Sequence, residues 1–181
     1  MPVIDGFKDV KFGTPMHDVA ALGYYCFNDK LEGYDGDLYA CTKSSTLFGL
    51  PAKVRAEIAD GLVSAIAVSV KDSKPVDLVG LFSDNFGPPQ SFQVRSPHDL
   101  SNEDTSYWLS PNGSSVLLIR MSNMPTNSDP VTRQLLNDGG APVTLMGQTF
   151  YEQQVIYYGS EATKDLLKRA SAANVPIDQD F

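Results

Sequence analysis

The sequence predicts an α+β fold in which short helices pack on one face of an antiparallel, meandering sheet. Three observations predict it. In residues 52–58, apolar Ala52, Val54, Ala56 and Ile58 alternate with charged Lys53, Arg55 and Glu57, the period of a strand with one wet face. Asp60-Gly61 is a hairpin signal of the type I′ kind, and it returns the chain into the more apolar strand "LVSAIAVSV". Two short helical stretches, each closed by a glycine, precede hairpins in a loose two-fold rhythm over residues 14–70 and 75–121.

In chain order, Thr14-Pro15 starts the first helix, with the Thr hydroxyl as the cap and proline at the first helical position. Met16, Val19, Ala20 and Leu22 give it an apolar face, and Gly23 suits a left-handed stop. "YYC" leaves as an extended segment. Lys74-Pro75 opens a second helix whose buried stripe is Leu78, Leu81, Phe82 and Phe86, ended by Gly87 and Pro88-Pro89. Polar residues 90–105 include "SFQVR", which has the form of an edge strand, and "SYWLSPNGSSVLLIRM" is a hairpin turning at Asn112-Gly113. Asp129-Pro130 starts a short helix, residues 143–159 supply one or two strands, and Ser160 caps a final helix. The whole reads as a single globular domain, 1–181. Sub-units 1–72 and 73–125 are loosely repeated, and 126–181 is a C-terminal strand-helix addition.

Composition narrows the function classes. With 22 acidic against 14 basic side chains, the net charge of -8 opposes nucleic acid and anionic membrane, since each phosphate approach is repelled on average. No apolar run approaches the roughly 18 residues that a spanning helix needs. The stretch "MPVIDGFKDV" lacks the charged-then-apolar pattern of a signal peptide. The chain therefore reads either as cytoplasmic or as a mature exported form.

The cysteines bear on that choice. Cys26 and Cys41 are the only two, and they bracket a hydrophilic, glycine-containing loop that little else would hold. A disulfide there would close a loop of about 15 residues, stabilise by roughly 3 kcal/mol, and place the protein in an oxidising compartment, periplasm or medium. The alternative is two free, half-buried thiols in the cytoplasm. The spacing fits neither a CxxC redox motif nor a zinc site.

"VKFGTPMHDVAALGYYC", followed by Cys41 and a meander of strands, resembles the FGMT-x-x-x-V signature that opens the modules of the secreted β-lactamase-inhibitor proteins. The small outer-membrane assembly lipoproteins share that two-layer fold. Phe12, Gly13, Thr14, Val19 and Gly23 match, although Thr14 follows Gly13 directly and Met16 comes two positions later. Cys26 and Cys41 resemble the module disulfide. The second unit, "DLVGLFSDNFGPP", keeps the helix-glycine layout without a cysteine pair. The resemblance implies the two-layer fold and export; its members include inhibitors and assembly factors, so it does not transfer one activity.

No catalytic constellation is legible. There is no G-x-S-x-G elbow, and the only histidines are His17, beside Asp18 on an exposed helix side, and His98, in a loop before Asp99. Asp35 and Asp37 flank Gly36 like the start of a calcium loop, but the closing bidentate glutamate is missing. No metal, no cofactor and no enzymatic activity are therefore expected.

The inter-cysteine loop is the candidate binding element. It carries Asp29, Glu32, Asp35 and Asp37 with Tyr34 and Tyr39 and a lone Lys30. Tyrosines offer contact area with few rotors, and carboxylates steer towards a basic cleft. A disulfide at its base would lower the entropy lost on docking. The competing reading is a solvated acidic loop. Tyr107, Trp108, Phe150, Tyr151, Tyr157 and Tyr158 form a second aromatic group, in which strand alternation puts one of each adjacent pair in the core.

The functional expectation is an exported, non-enzymatic protein that binds another protein with a basic surface, as an inhibitor or immunity protein blocking a toxin or envelope enzyme. The alternative is a structural or assembly factor of the bacterial envelope that uses the open sheet face. A small hydrolase built from residues that meet only in space is the third reading.

Overall fold

A computed structural model of the protein describes residues 2–29, 38–72, 76–95, 102–122 and 151–173. A small hairpin, β1 (Gly6–Phe7) and β2 (Val10–Lys11), precedes helix α1 (Met16–Ala21). Strands β3 (Tyr25–Asn28), β4 (Leu38–Leu47), β5 (Leu50–Ala59) and β6 (Leu62–Asp72) follow. Helix α2 (Leu78–Phe86) then leads into β7 (Gln90–Arg95), β8 (Asn102–Leu109), β9 (Ser115–Ser122) and β10 (Tyr151–Tyr158), and α3 (Ser160–Ala173) comes last. The main sheet has eight strands in the order β3-β4-β5-β6-β10-β9-β8-β7, with every neighbouring pair antiparallel. A helix followed by four antiparallel strands thus occurs on each side of the β6–β10 seam. Strand β10 comes from the segment expected as a C-terminal addition, and it lies in the middle of the sheet.

Two-residue turns set the register of β4, β5 and β6. Asp60 and Gly61 both have positive φ, 52° and 79°, as a type I′ hairpin requires. Phe48 and Gly49 do the same between β4 and β5, at 50° and 80°. Sequence reading did not find that second turn, because phenylalanine is a poor resident of the left-handed region.

The helix ends differ from expectation in instructive ways. Pro15 is the N-cap of α1 and no side chain caps its first turn, so Thr14 does not play the role expected of it. The Thr14 carbonyl instead accepts from the Val63 N–H at 2.9 Å, and Pro15 bridges to Leu62, which ties the helix start to β6. Gly23, at φ 86°, makes the expected left-handed stop. Asp77 opens α2, its carboxylate accepting the Gly80 N–H at 2.9 Å. Leu78 and Phe82 are buried as expected. Leu81 lies on the flank of that stripe and is 36% exposed. The first helical bond of α3 runs from the Thr163 N–H to the Gly159 carbonyl at 2.9 Å, so Gly159 stands where Ser160 was expected to cap.

The core lies on one face of the sheet. The register Cys26–Cys41–Ala56–Ile66–Tyr157–Val116–Trp108 crosses it from β3 to β8. Val19 of α1 and Leu78 and Phe82 of α2 join the same cluster, together with Ile4, Phe7 and Val10 of the N-terminal segment. Helix α3 is placed differently. Buried Thr163 lies 3.0 Å, Oγ1 to Oγ, from buried Ser115, which alternates with core residue Val116 and so faces the other way. The helices therefore do not share one face as expected: the C-terminal helix reaches the side of β6 and β10 away from the core.

Candidate functional site

The base of the inter-cysteine loop is a four-residue strand held by a covalent bond. Cys26 and Cys41 sit directly opposite each other in β3 and β4, with Cα atoms 4.0 Å apart and an S–S bond of 2.03 Å. Cys41 is fully buried and Cys26 packs against the core. Alternation then dictates where its neighbours point. Tyr25 and Phe27 flank Cys26 and must project from the opposite face.

There they form the corner of a row. Tyr25, Thr42, Arg55, Ala67, Ile156, Leu117 and Tyr107 lie in register across the sheet. Near the α3 side of the sheet this face is covered: Ala67 and Leu117 retain 8% and 9% of their exposure, whereas Tyr25 retains 73%. The Tyr25 and Phe27 rings stack at 6.0 Å and 28°. The Arg55 guanidinium lies 5.7 Å from the Phe27 centroid, donates to Glu57 at 2.6 Å, and forms an ion pair with Asp29. The Glu57 hydrogen bond, ahead of its charge and that of Asp29, holds the Arg55 pKa above its ordinary value against the opposing pull of burial. The guanidinium is thus a fixed cation over an aromatic face, flanked by carboxylates.

The residues expected in the binding loop divide. Asp29 is half-buried and spends its carboxylate on Arg55. Tyr39 is in β4, opposite Ile58, and packs against the core, so its ring is largely committed to the interior. Glu32, Tyr34, Asp35 and Asp37 lie outside the described residues. Tyr25, Phe27 and Arg55 were missed as a group. A signal existed, the period-two alternation of "YYCFN", but it does not say that Arg55 two strands away is the neighbour. Trp108 and Tyr157 are buried while Tyr107 and Tyr158 are half-buried, as the alternation of the second aromatic group predicts.

His17 is exposed and meets only its neighbour, Nε2 to the Asp18 carboxylate at 2.9 Å; His98 lies outside the described residues. Among the described residues, no three His, Cys, Asp or Glu side chains converge as a metal site requires. No helix among them is long and apolar enough to cross a membrane. Comparison with protein families, characterised proteins and solved structures finds no match to this chain.

Proposed function

We propose that this chain is an exported protein-binding protein, an inhibitor or immunity protein that blocks a toxin or envelope enzyme, docking through Tyr25, Phe27 and Arg55. The observation that carries the reading is Tyr25, a tyrosine 73% exposed on a strand whose next residue is covalently tied to the core. Tyrosine and arginine are the side chains that most often dominate interface energies. The disulfide fixes the backbone between the two stacked rings, so little freedom is left to lose on binding. The oxidising compartment needed to keep the bond supports export, and the resemblance of residues 10–26 to secreted inhibitor modules points the same way. The acidic balance favours a partner with a basic surface.

The test is to capture partners from the extracytoplasmic extract of the native host and then measure affinity with the purified partner. Tyr25→Ala and Arg55→Ala should each cost about tenfold or more. Asp35→Ala and Asp37→Ala measure the acidic loop separately. Affinity unchanged by Tyr25→Ala and Arg55→Ala sinks the docking assignment. An assembly factor of the envelope is the second reading, favoured by exposed Tyr25 and half-buried Tyr107 at the two ends of one register row, on either side of its covered centre. It predicts that Tyr107→Ala disrupts a multi-protein envelope complex while no captured enzyme is inhibited.

A further inference from the structure

A groove of about 310 Å³, open to solvent, lies on the core side of the sheet. Its lining combines four aromatic rings, Phe82 and Phe86 of α2, Phe48 from the β4–β5 turn and Tyr157 of β10, with the N-terminal segment and the polar side chains of Asp5 and Asn85. We propose that this groove binds a small, uncharged molecule of about two fused rings carrying one hydrogen-bonding group, which pairs with the Tyr157 hydroxyl.

Four observations carry the assignment. First, the size is at the lower end of ligand sites, roughly 300–1,000 Å³.

Second, the walls are built. The Ile4 N–H donates to Ser110 Oγ at 3.1 Å and the Asn112 amide donates to the Ile4 carbonyl at 2.9 Å, pinning the N-terminal wall to the β8–β9 turn. Phe82 is held among other rings, edge-on to Phe48 at 5.5 Å and stacked on Phe86 at 5.7 Å.

Third, Tyr157 is only 7% exposed and lines the groove, and its hydroxyl makes no hydrogen bond to another described residue while keeping contact with solvent. It is therefore open to pairing with a ligand group.

Fourth, Phe48 occupies a left-handed turn position, φ 50°, that asparagine, aspartate or glycine would tolerate better. It stays 48% exposed at the groove rim, so its ring is placed there at a backbone cost and without full burial. Charge selects the ligand class. The one ionised residue in the lining, Asp5, is already paired with Lys11 at 2.7 Å. No cation is among the described residues that line the groove, and Lys11 beside it is already paired with Asp5, so a neutral molecule fits best.

The inference is independent of the protein-binding reading. Its test uses the oxidised full-length chain, with indole, indene and indole-3-carboxylate as probes, followed by NMR. Indole should give saturable shifts at the Trp108 Nε1–H and at the Phe82 and Tyr157 rings, and the carboxylate should bind more weakly. Indene, which fills the same space without a hydrogen-bonding group, should bind less tightly than indole. Tyr157→Phe should lower indole affinity about fivefold to tenfold and leave indene unchanged. Phe48→Asn, which suits the turn, should keep or raise the melting temperature while weakening both probes. Absence of saturable shifts at these residues overturns the proposal, as does unchanged indole affinity in either variant.

Discussion

The two halves of the sheet carry the same order of elements and are held by different means. On the β3–β6 side, the register row ends in small residues, Ala56, Cys41 and Cys26, and the outermost strand is tethered by the disulfide. Its helix, α1, has six residues and buries only Val19. On the β7–β10 side no described cysteine exists, and aromatic volume does the work. Phe82 meets Trp108 at 5.5 Å and Tyr157 at 6.4 Å, while the Trp108 indole N–H donates to the Gly87 carbonyl at 2.7 Å and so closes the end of α2. A short helix over small side chains removes little apolar surface from water, and a covalent link offsets the deficit. A longer helix carrying a central phenylalanine needs no such link.

That contrast can be broken from either side. The largest effect is expected from Phe82→Ala, which removes the side chain at the centre of four ring contacts. It should cost about 3–5 kcal/mol, read by urea denaturation with Trp108 emission as the probe. Replacing Cys26 and Cys41 together by serine should cost about 3 kcal/mol, or about 6–12 °C in Tm. Amide exchange should rise in Tyr25–Asn28 while Trp108 emission stays native. A change in Trp108 emission as large as that of Phe82→Ala would mean that the halves do not divide their stabilisation in this way.

The two hairpin turns sharpen the comparison. Asp60→Ala, at φ 52°, should destabilise by about 1 kcal/mol, whereas Phe48→Asn should be neutral or stabilising, both by thermal melt.

The smallest effect is alkaline. Burial, with a lesser contribution from the Asp9 charge, pushes Tyr24 up to about 12, and burial alone pushes Tyr157 well above the usual phenol range. Unfolded phenols ionise near pH 10, so both tyrosines favour the folded state fully below about pH 10, and that contribution fades as the pH climbs towards 12. Denaturation midpoints at about pH 8 and about pH 11 should differ, and less so in Tyr157→Phe.

What was legible in the sequence follows from the range of the interactions involved. The Asp60-Gly61 hairpin, the stop at Gly23 and the alternation of residues 52–58 are local, and each is present. Strand β4 escaped because its core-facing positions include Lys43 and Ser45. Lys43 is there for a distant reason: its Nζ donates to the Leu22 carbonyl at 2.6 Å and lies 5.2 Å from the Tyr24 ring, capping the end of α1. The cap expected from Thr14 is absent because the helix starts one residue later, with Pro15 at the N-cap position and bridged to Leu62 of β6. At the candidate site, Asp29 was visible as an acidic residue. Its partner Arg55, 26 positions on, depends on how three strands align. Nothing in residues 151–158 says that they belong between β6 and β9.

That last placement shapes how the molecule is made. Among the described strands, β10 leaves the ribosome after all the others, yet it is the one that stitches the left and right portions together. Until it arrives, β6 and β9 each offer a bare hydrogen-bonding flank of largely apolar residues, the kind of surface that invites aggregation or a chaperone. Final closure therefore waits for β10, and it comes later than the pairing within either half.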